Sequence, residues 1–387
     1  MTTTLAPRWT IEVRKGDDAL AGLRPEWTDL FRRCRTATPF QAHAWLDSWW
    51  RAYGRPGRLR VVLVRRGGTL VAAAAFIRVR RAGCAVLVPI GGAFSDFTDV
   101  LVDDGCAAEA SAELARAIND MRGWQAVDFP ETRPGGVAGT ALRIAWTGSK
   151  HDLAASLCLE LPATDFEQLV KELPAHARKT VKRRVNQIAR LNLDVREVEP
   201  ADAPRAVADL LRLHRNQWQG RGGNPEHQRP AFAAHLAAAV PGMIADGQAV
   251  LLEYRLDGAL VAANLVIVGT DLAGGYLYGA DPVLRDKLDI TTLLISTTMP
   301  LAVRGGRPTM SMLRGAEPYK QRWRPVEAVN RRVVLVRPAS PRGLAYAAAV
   351  RTRGAGVRWA KERAPWLRTL RDRLRTVLRF SNPRGTP

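Results

Sequence analysis

The chain has 387 residues, with 58 Lys and Arg against 37 Asp and Glu and 47% apolar residues. That composition can bury a substantial core, which excludes a disordered tail or a minimal peptide module. At about 100–200 residues per domain, the length predicts two domains.

The longest uninterrupted apolar stretch, Leu70 to Ile77, is far short of the roughly 18–20 residues that span a bilayer. Met1 to Lys15 lacks the apolar core and small-residue cleavage site of a secretory signal. A cytoplasmic location is therefore expected. Cys34, Cys84, Cys106 and Cys158 are far apart and have no CxxC spacing, so they read as buried reduced thiols. No metal site is expected.

In chain order, helical spacing covers residues 20–34 and 41–53, followed by two apolar runs over 61–77 separated by a Gly turn. This hairpin signal recurs over 250–267, where Gly258-x-Leu260-Val261-Ala262-Ala263 repeats Gly68-x-Leu70-Val71-Ala72-Ala73 at an offset of 190. A helix is predicted over 107–122. Thr164-x-x-Glu167 reads as a capping box opening a new helix, which places a domain boundary just before it. Helices follow over 165–172, 175–191 and 202–219. After the second hairpin come a strand at 275–278, a helix over 290–303 and a strand at 310–313. The fold class is α/β with a mixed sheet. The expected division is 1–160, 161–337 and a basic tail, 338–387.

Charge is uneven along these parts: the tail alone carries 12 basic and 2 acidic residues, and Lys171 to Arg190 carries seven basic residues and one acid. In the tail, Trp366, Leu367, Leu370, Leu374, Val377 and Leu378 recur at helical spacing with arginines between them, and Pro365 suits a first turn. Such a face fits an anionic lipid surface or packs on the protein itself. In the second basic segment, Val181, Val185 and Ile188 form an apolar stripe. Arg178, Lys182 and Arg183 are left to bind a CoA phosphate, a nucleotide-linked sugar or a tRNA, or simply to be solvated. The Gly-rich stretch Gly220 to His227 reads either as a loop closing over substrate or as a flexible connection.

There is no GxxxxGK[ST], HExxH or GxSxG motif, which removes the usual support for ATPase, zinc-protease and serine-hydrolase chemistry. His214, among leucines, reads as structural. The densest chemical segment runs from Met312 to Trp323. In it Glu317 is a candidate base, Tyr319 a candidate acid, and Arg314 and Lys320 candidate anion binders. A purely structural reading pairs Arg314 with Glu317 and packs Tyr319.

The pattern Arg314-Gly315-x-Glu317-x-Tyr319-Lys320-x-x-Trp323 resembles the closing motif of the cellulose-biosynthesis-protein-like (BioF2-like) branch of the GNAT acyltransferases. Thr38-Pro39-Phe40-Gln41-x-x-x-Trp45-Leu46-x-x-Trp49-Trp50 and Arg178-Lys179-x-x-Lys182-Arg183-Arg184 are similar to that group as well. The likeness covers residues 5–337. It implies two tandem GNAT-like domains, a kinship with Fem-type aminoacyl transferases, and N-acyl transfer with Tyr319 protonating the leaving thiolate. It also implies acyl-CoA, as acetyl-CoA, for the co-substrate, with phosphate received near Arg285, Lys287, Thr291 and Thr292. Two departures stand out: the Arg/Gln-x-x-Gly-x-Gly phosphate loop is absent, and Ser311 occupies a position where related sequences carry an acid.

The function expected is N-acylation of an amine on a cell-envelope or exopolysaccharide precursor, with peripheral membrane contact through the tail. The alternatives are an aminoacyl-tRNA donor, the only case in which nucleic acid is a partner, and a non-catalytic accessory protein of a membrane polysaccharide synthase.

Overall fold

The computed structural model describes residues 8–219 and 224–363. The first half of the chain runs β1 (Trp9–Lys15), α1 (Arg24–Arg33), α2 (His43–Tyr53), β2 (Leu59–Arg66), β3 (Thr69–Arg81), β4 (Cys84–Pro89), the short β5 (Leu101–Val102), α3 (Ala107–Asp120), β6 (Ala126–Thr132), α4 (Ala141–Ala145) and β7 (Lys150–Pro162). Two helices follow, α5 (Phe166–Glu172) and α6 (Ala175–Arg190). The second half is β8 (Asp194–Glu197), α7 (Ala203–Trp218), α8 (Pro230–Ala245), β9 (Ala249–Leu256), β10 (Ala259–Val268), β11 (Leu272–Ala280), α9 (Pro282–Lys287), α10 (Ile290–Arg304), β12 (Thr309–Arg314), α11 (Pro318–Gln321) and β13 (Val326–Val336), and α12 (Pro341–Arg363) closes the described chain.

The α/β class and the expected helices are present. One detail is corrected: Asp165, not Thr164, caps α5, its carboxylate accepting the amides of Glu167 and Gln168, as a short acidic side chain at an N-cap does well. The residue-160 boundary lies inside β7. All four cysteines are buried and unpaired. The expected tail helix at 366–378 lies outside the described residues. Among the described residues no helix is long and apolar enough to cross a membrane.

The repeat read from sequence is a repeat of structure. β2 and β9, and likewise β3 and β10, start at the same 190-residue offset, and both hairpins turn through two residues of positive φ, Gly67-Gly68 and Asp257-Gly258. The left-handed pair matches the twist of the flanking strands. Both hairpins also bulge at the same place: pairing skips Val71 in one and Val261 in the other. A bulge shared at fixed offset is hard to obtain without a common plan. The element orders of the two halves then correspond through helix, strand, helix and final strand.

All the strands form one sheet, β1-β2-β3-β4-β6-β13-β7-β12-β11-β10-β9-β8, with β5 paired to β3. Neighbours are antiparallel except β4–β6 and β11–β12. The final strands are exchanged between the halves. β13, from the second half, pairs with β6 of the first, and β7, from the first, pairs with β12 of the second. At this seam Asp128 of β6 is fully buried. It accepts from Arg332 of β13 at 2.6 and 2.9 Å, from Arg81 of β3 at 2.8 Å, and from the Tyr346 hydroxyl of α12 at 2.5 Å. α12 is thereby tied to the sheet.

A second contact between the halves is α2 on α8. Gly242 lets the helices approach, since a Cβ there would lie 3.0 Å from that of Ala44, and Ser48 meets the His235 Nδ1 at 2.8 Å. Replacing a buried charge that answers two cations leaves those cations uncompensated. Asp128→Ala should therefore lower the unfolding free energy by about 3–5 kcal/mol, measured by urea titration. An unchanged midpoint would show that the seam does not depend on this carboxylate.

Candidate active site

Parallel pairing between β11 and β12 covers only Leu272–Gly274 and Thr309–Ser311, after which the strands diverge. Gly274 is required at the narrow end, because a Cβ there would come within 2.5 Å of the Ser311 carbonyl oxygen. Past it, β11 bulges at Tyr276, which is skipped in the pairing with β10. Beyond Gly274 and Ser311 the facing edges of β11 and β12 do not pair with each other, and on β12 the amides of Leu313 and Arg314 are taken by Ser311 Oγ and Asp96. The resulting wedge is lined by Asn264, Tyr278, Thr291, Thr298, Ser311 and Tyr319.

From the opposite side, where the halves meet, opens a cavity of about 600 Å³. Asp96, Ser156, His214, Trp218, His227 and Glu317 line it. Wedge and cavity share Gly275, Tyr278, Met312, Tyr319 and Lys320. Tyr319 thus stands where two approaches join. Its residue surface is 43% exposed. Burial, then the charge of Glu317, pushes its hydroxyl above the ordinary phenol value, so at neutral pH it holds a proton to give.

The segment that presents Tyr319 is bent and held. β12 changes register against β7 between Ser311 and Arg314, and Leu313 has φ +57° and Gly315 φ +109°. A left-handed leucine is costly and persists only where its surroundings enforce it. Here Ser311 Oγ accepts the Leu313 amide at 3.1 Å and the Leu157 carbonyl accepts that of Gly315 at 3.0 Å.

Arg314 is a clamp between the halves. Its Nε is 2.6 Å from Asp96 Oδ1, Nη2 donates to the Ala93 carbonyl at 3.1 Å, and Nη1 lies 3.6 Å from Glu131. Beneath it, Ser156 donates to Glu131 at 2.6 Å, and Asn330 donates to Glu131 at 3.1 Å and to the Asp96 carbonyl at 3.2 Å. The Arg314–Glu317 pairing that the sequence allowed is replaced by Arg314–Asp96. Lys320 is buried, donates to the carbonyls of Arg314 and Gly315 at 3.1 and 3.2 Å, and pairs with Glu317 at 2.8 Å. Both expected anion binders are thus engaged inside the protein and position the loop. Glu317 sits at the N-cap of α11 with its side chain half exposed.

The expected phosphate residues gather near the start of α10, where first-turn amides have no helical partner. Thr291 faces the wedge. Thr292 is buried and donates to Asp289 at 2.6 Å, so its hydroxyl is occupied. Asp289 is held by Arg184 at 2.6 Å and Arg322 at 2.9 Å. Lys287 is exposed, and the Gln187 amide donates to its carbonyl. The Arg285 side chain lies outside what is described. Arg178 donates to the Lys171 carbonyl at 3.3 Å, while Lys182 and Arg183 are exposed on α6; none of the three lines the wedge or the cavity. Arg184, which does reach α10, carried no separate signal in a run of basic residues.

His214 does more than fill a helix face. Its Nδ1 donates to the Tyr278 carbonyl at 2.7 Å, which leaves Nε2 to accept from His227 Nδ1 at 3.2 Å; His227 Nε2 in turn meets the Asn224 amide nitrogen at 3.2 Å. Three fixed hydrogen bonds assign both rings their neutral tautomers.

Residues 175–321 match the profile of the acetyltransferase (GNAT) domain family. Over these residues the chain is similar to a GNAT-type acetyltransferase domain. Among solved structures, FemX is similar at 11% identity with a TM-score of 0.58, covering 80% of this chain and 95% of that one. The C-terminal domain (DUF2156) of a putative lysylphosphatidylglycerol synthetase from Agrobacterium fabrum is similar at 13% identity and TM-score 0.52, covering 86% and 96%. A conserved protein of unknown function from Bacteroides thetaiotaomicron is similar at 11% and 0.55, covering 84% and 100%. At these identities the likeness is one of fold. No curated protein sequence matches. The GNAT match ends at Gln321, so it includes the Arg314–Lys320 loop.

Two measurements test this geometry. In a double-mutant cycle of Asp96→Asn and Arg314→Gln, urea unfolding should give a coupling energy of about 1–3 kcal/mol; additive losses would deny the clamp. Burial, then His214, pushes the His227 imidazole down to about 4, below the value near 6.5 of an unfolded histidine. Because the unfolded chain then binds the proton more readily, the stability involved is intact above pH ~6.5 and is lost as pH falls toward 4. Between pH 7.5 and 5 the wild type should lose about 1 kcal/mol more than His227→Gln. Parallel losses in the two proteins would mean that this ring titrates normally.

Proposed function

We propose that the chain is an N-acyltransferase in which an acyl donor enters the wedge from the start of α10 and an amine acceptor enters the cavity between the halves. The observation that carries this reading is the meeting of the two at Tyr319. The amine nitrogen attacks the acyl carbonyl carbon, and its π electrons move onto oxygen, where backbone amides on the β11 edge of the wedge receive the negative charge. The carbonyl then re-forms, the bond to the leaving group breaks, and the departing thiolate takes the Tyr319 proton. Glu317, half exposed on the acceptor side, receives the proton lost by the amine.

The donor we assign is acyl-CoA, as acetyl-CoA, in keeping with the GNAT match. Free first-turn amides of α10 with Thr291 and Lys287 suit its phosphates. The acceptor we assign is an amine of a cell-envelope or exopolysaccharide precursor, handled at the inner face of the membrane. Its support is the resemblance in sequence together with the FemX-like fold. A second reading, an aminoacyl-tRNA donor, draws on the exposed Lys182 and Arg183 of α6, the helix whose Arg184 reaches Asp289.

Calorimetric titration of the full chain with desulfo-CoA, followed by transfer assays with acetyl-CoA, tests the first reading. Tyr319→Phe should bind the donor as the wild type does and lower kcat by about 100-fold. Equal turnover in the variant would remove Tyr319 from the chemistry. If desulfo-CoA does not bind, and transfer from aminoacyl-tRNA falls steeply with added salt as released counterions require, the donor assignment moves to tRNA.

A further inference from the structure

Beside the wedge, β11 loses its strand partner before it ends. Its pairing with β12 stops at Gly274, yet β11 continues to Ala280. The Asp281 amide bonds back to the Val261 carbonyl of β10 at 2.8 Å. In an antiparallel pair the bonding direction alternates from residue to residue, so the backbone groups of Tyr278 and Ala280 point away from β10, toward the space that β12 has left. Groups placed there need partners from elsewhere.

They find them on α7. His214 Nδ1 donates to the Tyr278 carbonyl at 2.7 Å, and the Gln217 side-chain oxygen accepts the Ala280 amide at 2.9 Å. Positions 214 and 217 are neighbours on one helix face, and 278 and 280 lie on one strand edge. Three helical residues rise about 4.5 Å and two strand residues about 6.6 Å, so the longer glutamine side chain makes up the difference. Gly279 permits the approach, since a Cβ there would lie 2.4 Å from the His214 amide nitrogen. Gln217 is buried, and His214 Nε2 is engaged by His227 at 3.2 Å. Neither side chain can turn away without leaving the β11 edge unpaired beside the wedge.

We propose that His214 and Gln217 are positioning residues: from α7 they stand in for the missing length of β12, hold the edge of β11, and so keep the wedge open. The inference rests on the reading that an acyl donor enters there. Without these two bonds the edge relaxes into the gap. Only a fraction of the molecules then keeps the wedge wide enough for a donor, and binding weakens in proportion to that fraction.

The test uses the full chain. His214→Leu keeps bulk and removes the donor, His214→Asn returns an amide nitrogen near the Nδ1 position, and Gln217→Met removes the acceptor. Melting curves establish that each is folded at the assay temperature. Calorimetric titration with desulfo-CoA should give a Kd on the order of 10-fold weaker for His214→Leu and Gln217→Met, and one within about two-fold of wild type for His214→Asn. Wild-type affinity in both loss variants would overturn the proposal. Equal weakening in His214→Leu and His214→Asn would overturn it too, since the ring would then matter only for packing. Hydrogen exchange followed by mass spectrometry decides the point without a donor: peptides spanning β11 should exchange faster in His214→Leu and Gln217→Met than in wild type or His214→Asn. Unchanged exchange in the loss variants would sink the proposal. If wild type fails to bind desulfo-CoA while β11 responds in this way, the donor assignment falls and the hold of α7 on the β11 edge stands.

Discussion

The exchange of the last strands is the constraint on which the rest of the structure depends. With β13 hydrogen-bonded to β6 on one side and β7 on the other, neither half can complete its sheet from its own residues. Leaving a strand edge unpaired at the centre of the sheet would strand a row of amides and carbonyls. The two halves are therefore obliged to form together, and the angle between them is set by backbone pairing. That is what makes a cavity between them usable for chemistry. A loose interface between domains would not hold Asp96 of one half at hydrogen-bond distance from Arg314 of the other.

From that seam the site follows by a short chain of causes. Arg314 sits at the end of β12, where the register change against β7 has turned the strand out of line. Burial opposes its charge, but Asp96 and Glu131 more than offset this and hold the guanidinium above its ordinary value. Lys320 then braces the turn from below through two carbonyls. The left-handed Leu313 is the cost of the bend, and the polar network around it is what keeps the bend in place. Arg314, Lys320 and Asn330 accordingly act on geometry; Tyr319 is left lining the open space, with Glu317 half exposed beside it and paired with Lys320.

Much of the fold was legible because it is written in local patterns. The twin hairpins announce themselves through a Gly turn between apolar runs, and the helices over 107–120, 175–190 and 203–218 through 3.6-residue spacing. The strand exchange has no such signature, since β7 and β13 read as ordinary strands and their partners are chosen by tertiary packing. The same limit applies to the site. The Arg314–Lys320 cluster was visible as a dense run of chemical residues, but the partner of Arg314 lies 218 positions earlier. Ser95-Asp96 looks like any polar break between apolar stretches. His214 was read as structural because its sequence neighbours are leucines. Its actual surroundings come from Tyr278 and His227.

Duplication explains the architecture but not why one half carries the open wedge, and the difference can be traced to particular residues. In the first half, β4 and β6 pair only at Val86–Leu87 and Ala126–Val127 and then part, as β11 and β12 do. The space beside that parting is filled. Phe40, Phe97 and Trp27 crowd it, the remaining cavity is only about 10 Å³, and Asp99 closes it by accepting the amides of Val100 and Ala138 at 2.8 and 2.7 Å. At the position of Ala74, the second half has Asn264, a buried amide that donates to Thr298 at 3.3 Å and lines the open wedge. Large aromatic rings convert one copy into a rigid wall, since a packed interior leaves no room for a ligand. The other copy keeps small and polar side chains around an open wedge. The first half instead supplies Asp96 to the Arg314–Lys320 loop.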